Sequence, residues 1–244
     1  MLLSVLMPLY NEEKTVAEII ERVLTLPLEL ELIIVNNGST DRTGEIIGQY
    51  RGRPNVRIIF KEVNIGKGDG VVAGLEIARG KYTVIQDGDL EYDPTDYVKM
   101  VELAEKNGAT AVFGSRRLNP TSGISYNRYL WGGEFLTVLA NFLFRVRITD
   151  EATCYKMVRT DILRQLNLQC KRFEFCPEVI AKLGRNGIKI CEVPIAYYPR
   201  KFEEGKKIRW YDGIEAIWTL LKYRLQPLKD FRIEEEQSQS QGGK

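Results

Sequence analysis

The chain has 244 residues, 44% hydrophobic and 28% charged, with a net charge of +2, four cysteines and no histidine. These are the proportions of a globular protein with a full core. The near-neutral balance gives no global field for nucleic acid, so no nucleic-acid partner is expected. The missing histidine excludes Ser-His and Cys-His catalysis and any histidine-bound metal.

In the first half, apolar runs predict strands over 3–7, 31–35, 56–60, 82–85 and 110–113. Helical periodicity fills the intervals, over 13–26, 41–50, 68–78 and 94–106. Alternation of this kind predicts an α/β fold with a mostly parallel sheet, its post-strand loops gathered at one edge. The second half is less regular. An aromatic segment over 126–148 carries Arg128, Arg145 and Arg147. Strands are expected at Phe173-Glu174-Phe175 and over 188–193, around a helix over 177–185. A charged loop over 199–207 precedes an amphipathic helix over 210–225, and the polar tail over 233–244 is expected to be disordered.

Met1 to Pro8 has no basic leader, and its apolar run is short for a signal peptide. No stretch nears the ~20 apolar residues of a membrane span. Cys154, Cys170, Cys176 and Cys191 show no C-x-x-C spacing, which argues for reduced thiols rather than zinc. A cytoplasmic protein is expected, with no signal peptide or transmembrane helix and with peripheral contact to a membrane face left open.

The most informative segment is Gln86-Asp87-Gly88-Asp89-Leu90-Glu91, directly after a buried-strand pattern. Asp87 and Asp89 fall on one side of extended backbone. Two such carboxylates repel unless a cation lies between them, and hard Mg²⁺ or Mn²⁺ takes these ligands together with a phosphate. An acidic turn capping the next helix is the plain rival. A calcium loop fails, because Tyr92 and Val98 stand where Gly and Glu are needed. Asn36-Asn37-Gly38-Ser39-Thr40-Asp41 reads as a turn and helix cap, or as a loop presenting amides to a nucleotide. Gly68-x-Gly70-x-x-Ala73 matches the dinucleotide fingerprint formally but does not follow its strand directly. An NAD-dependent oxidoreductase is therefore a minority reading. Arg116-Arg117 and the basic residues of 200–207 are either solvated charge or ligands for phosphate.

In order and spacing, these pieces resemble glycosyltransferase family 2. The resemblance runs from about Ser4 to Arg224, through Pro8-Leu9-Tyr10-Asn11-Glu12-Glu13, Val35 to Asp41, Asn64 to Gly68, Gln86 to Pro94, Gly114-Ser115-Arg116, Asp150 to Lys156 and Phe173 to Glu178. It implies a single GT-A domain, Rossmann-like and nucleotide-binding, over 1–232. A nucleotide-sugar-binding half would span 1–115 and an acceptor-binding half 116–232. The most similar branch is that of dolichol-phosphate mannose synthase and polyprenyl-phosphate glycosyltransferases, which are inverting and use Mg²⁺ or Mn²⁺.

Carried over by motif, Pro8, Tyr10, Glu12 and Asn37 would line the base and ribose pocket, with Gly66 and Lys67 in the donor loop. Asp87 and Asp89 would be the metal-motif acids, Asp89 and Glu91 holding the ion. Arg116, Arg128, Arg200 and Lys206 would face the donor diphosphate and an acceptor phosphate. If the acceptor is a sugar hydroxyl, Asp150 or Glu174 is the candidate base; a lipid phosphate, already anionic, needs none. The family's Asp-Asp-Gly-Ser is Asn36-Asn37-Gly38-Ser39 here. An amide suits uracil and a carboxylate suits guanine, so a UDP-sugar is expected, with GDP-mannose as the second candidate. Transfer to a saccharide hydroxyl and an inactive nucleotide-sugar binder are the alternatives.

Overall fold

The computed structural model describes residues 1–120, 129–199, 210–230 and 232–233. In chain order the elements are β1 (Leu3–Leu9), α1 (Val16–Leu24), β2 (Leu30–Asn37), α2 (Thr43–Gly48), β3 (Val56–Lys61), α3 (Lys67–Ile77), β4 (Tyr82–Ile85), α4 (Asp96–Asn107), β5 (Ala111–Ser115), α5 (Tyr129–Phe144), β6 (Lys156–Arg159), α6 (Thr160–Gln165), α7 (Phe175–Arg185), β7 (Ile190–Pro194) and α8 (Trp210–Leu225). They build one seven-stranded sheet of order β3-β2-β1-β4-β6-β5-β7.

Every residue of β1, β2 and β4 is buried, as expected of parallel strands covered on both faces. Leu6 of β1 pairs with Ile33 of β2 and Ile85 of β4, so three apolar runs meet at the centre of the core. Helix α1 adds Val16, Ile19, Ile20 and Val23 on one stripe. Only β6 opposes its neighbours; the other six strands run the same way. The ends of β1, β2, β4, β5 and β7, and the start of β6, therefore share one sheet edge, where ligands of such folds bind.

The first-half elements appear where periodicity predicts them, apart from shifted ends. The second half departs in two places. The expected strand at Phe173-Glu174-Phe175 is instead a turn leading into α7. The Glu174 carboxylate accepts the backbone N–H groups of Lys171 and Arg172, both at 2.8 Å, and Phe175 enters the helix buried. Alternating aromatics imitate a strand, but this local capping overrides the pattern. Strand β6 and helix α6 are too short for periodicity to reveal. The buried Lys156 of β6 disguises the strand further, its ammonium donating to the carbonyls of Glu151 and Thr153.

Candidate active site

The loops after β1 and β2 lock together. Asn11 donates its N–H to Ser39 Oγ at 3.1 Å, and its Oδ1 accepts the Thr40 N–H at 2.8 Å. The Glu12 N–H donates to Thr43 Oγ1 at 2.8 Å, and the Glu13 N–H to an Asp41 oxygen at 3.1 Å. Pro8 and Asn37 meet over Gly70, and the Glu12 side chain lies by Gly88 of the acidic turn. Asn37 is almost wholly buried, at 2% exposure. Its Nδ2 donates to the Gly66 carbonyl at 3.4 Å, while its Oδ1 has no hydrogen-bond partner. Turning the amide over would set oxygen against oxygen, so the Gly66 carbonyl fixes the orientation. Gly70 is required here: a Cβ on it would lie 2.6 Å from Asn37 Nδ2 and 3.0 Å from Pro8 Cβ.

The glycine-rich loop is held by protein rather than left open as a phosphate cradle. Gly68 N–H donates to the Arg172 carbonyl at 2.9 Å and Asp69 N–H to that of Lys171 at 3.0 Å. Gly66 has φ +140°, and a Cβ there would lie 2.6 Å from the Lys171 carbonyl oxygen. The amides that the dinucleotide fingerprint would offer to a ligand are thus spent on the loop before α7. What this loop presents to the site is the Lys67 side chain, paired with Asp87 and 3.1 Å from Cys154 Sγ. Burial opposes the charge on Lys67, but Asp87 outweighs it and raises the ammonium pKa well above the ordinary value. Burial raises the Cys154 thiol well above its ordinary value, so it stays protonated and unreactive.

The acidic turn follows β4. Thr15 Oγ1 donates to the Gly88 carbonyl at 2.8 Å, tying the turn to the β1 loop. Asp89 Oδ1 accepts the Glu91 N–H at 3.1 Å. Glu91 Oε2 accepts the hydroxyl of Tyr197, a residue just beyond β7, at 2.8 Å. Burial and Glu91 push the Tyr197 phenol up, so it remains a donor. Among the described residues no group of three or more Cys, Asp or Glu side chains forms a metal cage. Asp89 and Glu91 offer oxygen donors only, the ligand type that a hard cation takes together with phosphate and water.

At the end of β5, Arg116 donates Nε and Nη2 to the two oxygens of Asp150, each at 2.7 Å. Its guanidinium also lies 4.9 Å from the centre of the Tyr197 ring. Burial pushes the Asp150 carboxyl up, but Arg116 more than offsets this and holds it below the ordinary value. Asp150 is therefore a counter-ion for Arg116 and a poor proton acceptor. Glu174 caps a turn, as described above, and is likewise occupied. Arg128, Arg200 and Lys206 lie outside the described residues. Motif reading passed over Tyr197 and Cys154. The available signal for Tyr197 was its position after a strand ending at the site edge.

A mostly parallel sheet with an acidic turn at its carboxyl edge is the arrangement of the GT-A fold. Residues 4–166 match the family model described as glycosyl transferase family 2, and the chain belongs to that family. The NAD-dependent oxidoreductase reading is thereby set aside. The chain is 27% identical over 237 residues to the dodecaprenyl-phosphate galacturonate synthase of Rhizobium johnstonii, covering 92% of this chain and 69% of that one. It is 28% identical over 207 residues to the low-salt glycan biosynthesis hexosyltransferase Agl6 of Haloferax volcanii, covering 82% and 49%. It is 27% identical over 232 residues to the dolichol-phosphate mannosyltransferase of Pyrococcus furiosus, covering 91% and 64%. The chain thus spans less than two thirds of the last two relatives. The fold matches that of glucosyl-3-phosphoglycerate synthase from Mycobacterium tuberculosis in complex with UDP, with TM-score 0.68 and 20% identity over 93% of this chain and 81% of that one. It also matches S. aureus TarS in complex with UDP-GlcNAc, with TM-score 0.64 and 17% identity over 91% and 66%.

Proposed function

We propose that the protein is an inverting transferase that moves a hexose from a UDP-sugar to a polyprenyl or dolichyl phosphate at a membrane surface, with Mg²⁺ or Mn²⁺ as cofactor. The observation that carries the donor half is the buried, unpartnered Oδ1 of Asn37. Uracil N3–H needs one acceptor, which Asn37 has. Guanine presents N1–H and N2–H₂ together and needs two, but the second Asn37 atom is a donor already given to Gly66. Pro8, Tyr10 and Glu12 complete this pocket, and the charged Lys67 faces the diphosphate.

Asp89 and Glu91 would hold the cation, and Asp87 keeps Lys67 in place. The chemistry that a bound Mg²⁺ or Mn²⁺ supplies is charge neutralisation on the leaving nucleoside diphosphate. Arg116, fixed by Asp150, contributes positive potential on the acceptor side. A saccharide hydroxyl would need a base, and both candidates, Asp150 and Glu174, are engaged elsewhere. A phosphate acceptor is already anionic and attacks the anomeric carbon without one. The named polyprenyl-phosphate and dolichol-phosphate relatives favour the same acceptor class.

The acceptor's location is supported by α5 and α8, which pack against each other. They expose Phe135, Val138 and Phe142 on α5, and Ile214, Trp218, Leu221 and Leu225 on α8. Spacings of three and four put each set on one helical face, and exposed apolar faces of this kind mark binding surfaces. No helix among the described residues is long and apolar enough to cross a membrane, so contact through these faces would be peripheral.

Thermal shift with UDP-glucose, GDP-mannose and NADH, each with and without Mn²⁺, tests the donor and metal reading. A metal-dependent shift with the UDP-sugar is expected, because ligands of the native state raise its stability. A larger shift with GDP-mannose would overturn the base assignment. Asp89→Asn is expected to abolish turnover while keeping Tm within about 2 °C. Full activity in that variant would refute the metal role.

A further inference from the structure

The segment after β7 runs antiparallel beside the acidic turn and is held from several sides. Asn119 Nδ2 donates to the Ile195 carbonyl at 3.1 Å, Ala196 N–H to Asp96 Oδ2 at 2.8 Å, and Tyr198 N–H to the Glu91 carbonyl at 2.8 Å. Tyr92 and Tyr197 pair across this bridge, their rings 5.2 Å apart and edge to face. The backbone of Tyr197 is therefore fixed, and its side chain has two partners of opposite charge. The hydroxyl donates to Glu91 Oε2 at 2.8 Å, and the ring lies under the Arg116 guanidinium at 4.9 Å.

We infer that Tyr197 is a positioning residue that orients Glu91 for the divalent cation and, through the same ring, aligns Arg116 on the acceptor side. Neither partner is fixed by its own strand alone. Glu91 lies on a turn after β4, and Arg116 just past the end of β5. A carboxylate that accepts a hydroxyl hydrogen bond enters the coordination sphere already oriented, as groups behind a metal ligand commonly ensure. A guanidinium stacked on an aromatic face keeps its plane while remaining bonded to Asp150. The two sides of the site thus share one rigid side chain.

This inference rests on the cation assignment proposed above, and its test separates the two. Mn²⁺ is titrated into wild type, Tyr197→Phe, Glu91→Gln and the double variant at saturating UDP, with the metal-dependent rise in Tm as the readout. Tyr197→Phe keeps the ring over Arg116 and removes only the hydroxyl. Its Mn²⁺ midpoint is expected to rise about tenfold, the scale of one hydrogen bond to a charged group. Its Tm without metal should stay within about 2 °C of wild type. The double variant should bind Mn²⁺ no more weakly than Glu91→Gln alone, because the phenol acts through Glu91. A wild-type Mn²⁺ midpoint in Tyr197→Phe, or additive losses in the double variant, would overturn the role of Tyr197 and leave the cation site standing. No Mn²⁺-dependent shift in wild type would overturn both.

Discussion

At the scale of single residues, the site depends on polar atoms whose partners are already assigned. Asn37 has one bonded donor and one acceptor without a partner, and the base choice proposed above rests on that asymmetry. Asn37→Asp supplies two acceptors and loses the bond to the Gly66 carbonyl. It is expected to move the ratio of UDP to GDP affinity toward GDP by about tenfold, near 1.4 kcal/mol. Calorimetric titration with both nucleotides checks this, and an unchanged ratio would remove Asn37 from base recognition. Arg116 and Asp150 form the other decisive pair, with only 18% and 4% of their side chains exposed. Arg116→Met strands a buried carboxylate and should cost about 3 kcal/mol at neutral pH. The Asp150 carboxyl lies below its ordinary value, so its contribution is complete above the ordinary carboxylate range and fades as pH falls through the lowered value. The gap between wild type and Arg116→Met should therefore narrow in acid. Melting curves between about pH 3 and 7 test this; a constant gap would show that the ion pair does not drive the difference.

At the scale of elements, short polar clamps decide how the second half meets the first. Glu178 of α7 accepts the Gln169 N–H at 2.7 Å and the Tyr223 hydroxyl of α8 at 2.7 Å, and it pairs with Lys182 at 2.6 Å. Arg185 reaches the Tyr223 carbonyl at 2.9 Å, so α7 and α8 are joined at both side-chain and backbone level. The loop before α7 in turn holds the first amides of α3, linking this pair to the donor loop. Helix α8 carries apolar residues on both faces. Leu220 and Tyr223 are buried, whereas Trp218 and Leu225 are 66% and 84% exposed. Replacing both residues by Glu should leave stability within about 0.5 kcal/mol per site, since both are largely exposed. Binding to anionic liposomes should fall at least tenfold, because each buried apolar side chain contributes roughly 1.5–3 kcal/mol. Flotation measures this, and unchanged co-flotation would remove α8 from membrane contact.

At the scale of the whole molecule, the first half was legible because its strands are long, apolar and separated by periodic helices. Buried parallel strands leave such runs whichever partner they take, so the runs reveal the strands, while the pairing of β1 with β2 and β4 is visible only in the sheet. The second half hides its topology. Strand β6 is four residues long, carries a buried lysine and runs against both neighbours. Nothing local announces that it is inserted between β4 and β5. Its insertion nevertheless brings Asp150 to the edge where Arg116 and the acidic turn lie.

The sequence by itself determined the α/β class, the succession of strands and helices in the first half, the acidic turn after β4 and the family, because strand periodicity and motif spacing are properties of the chain read in one dimension. Only the tertiary structure decided which atoms of those motifs remain available. It gave the α3 amides to the loop before α7, Asp150 to Arg116, and the Tyr197 hydroxyl to Glu91. Hydrogen bonds between residues tens of positions apart depend on distances of a few ångströms, and those are set only when the sheet has assembled.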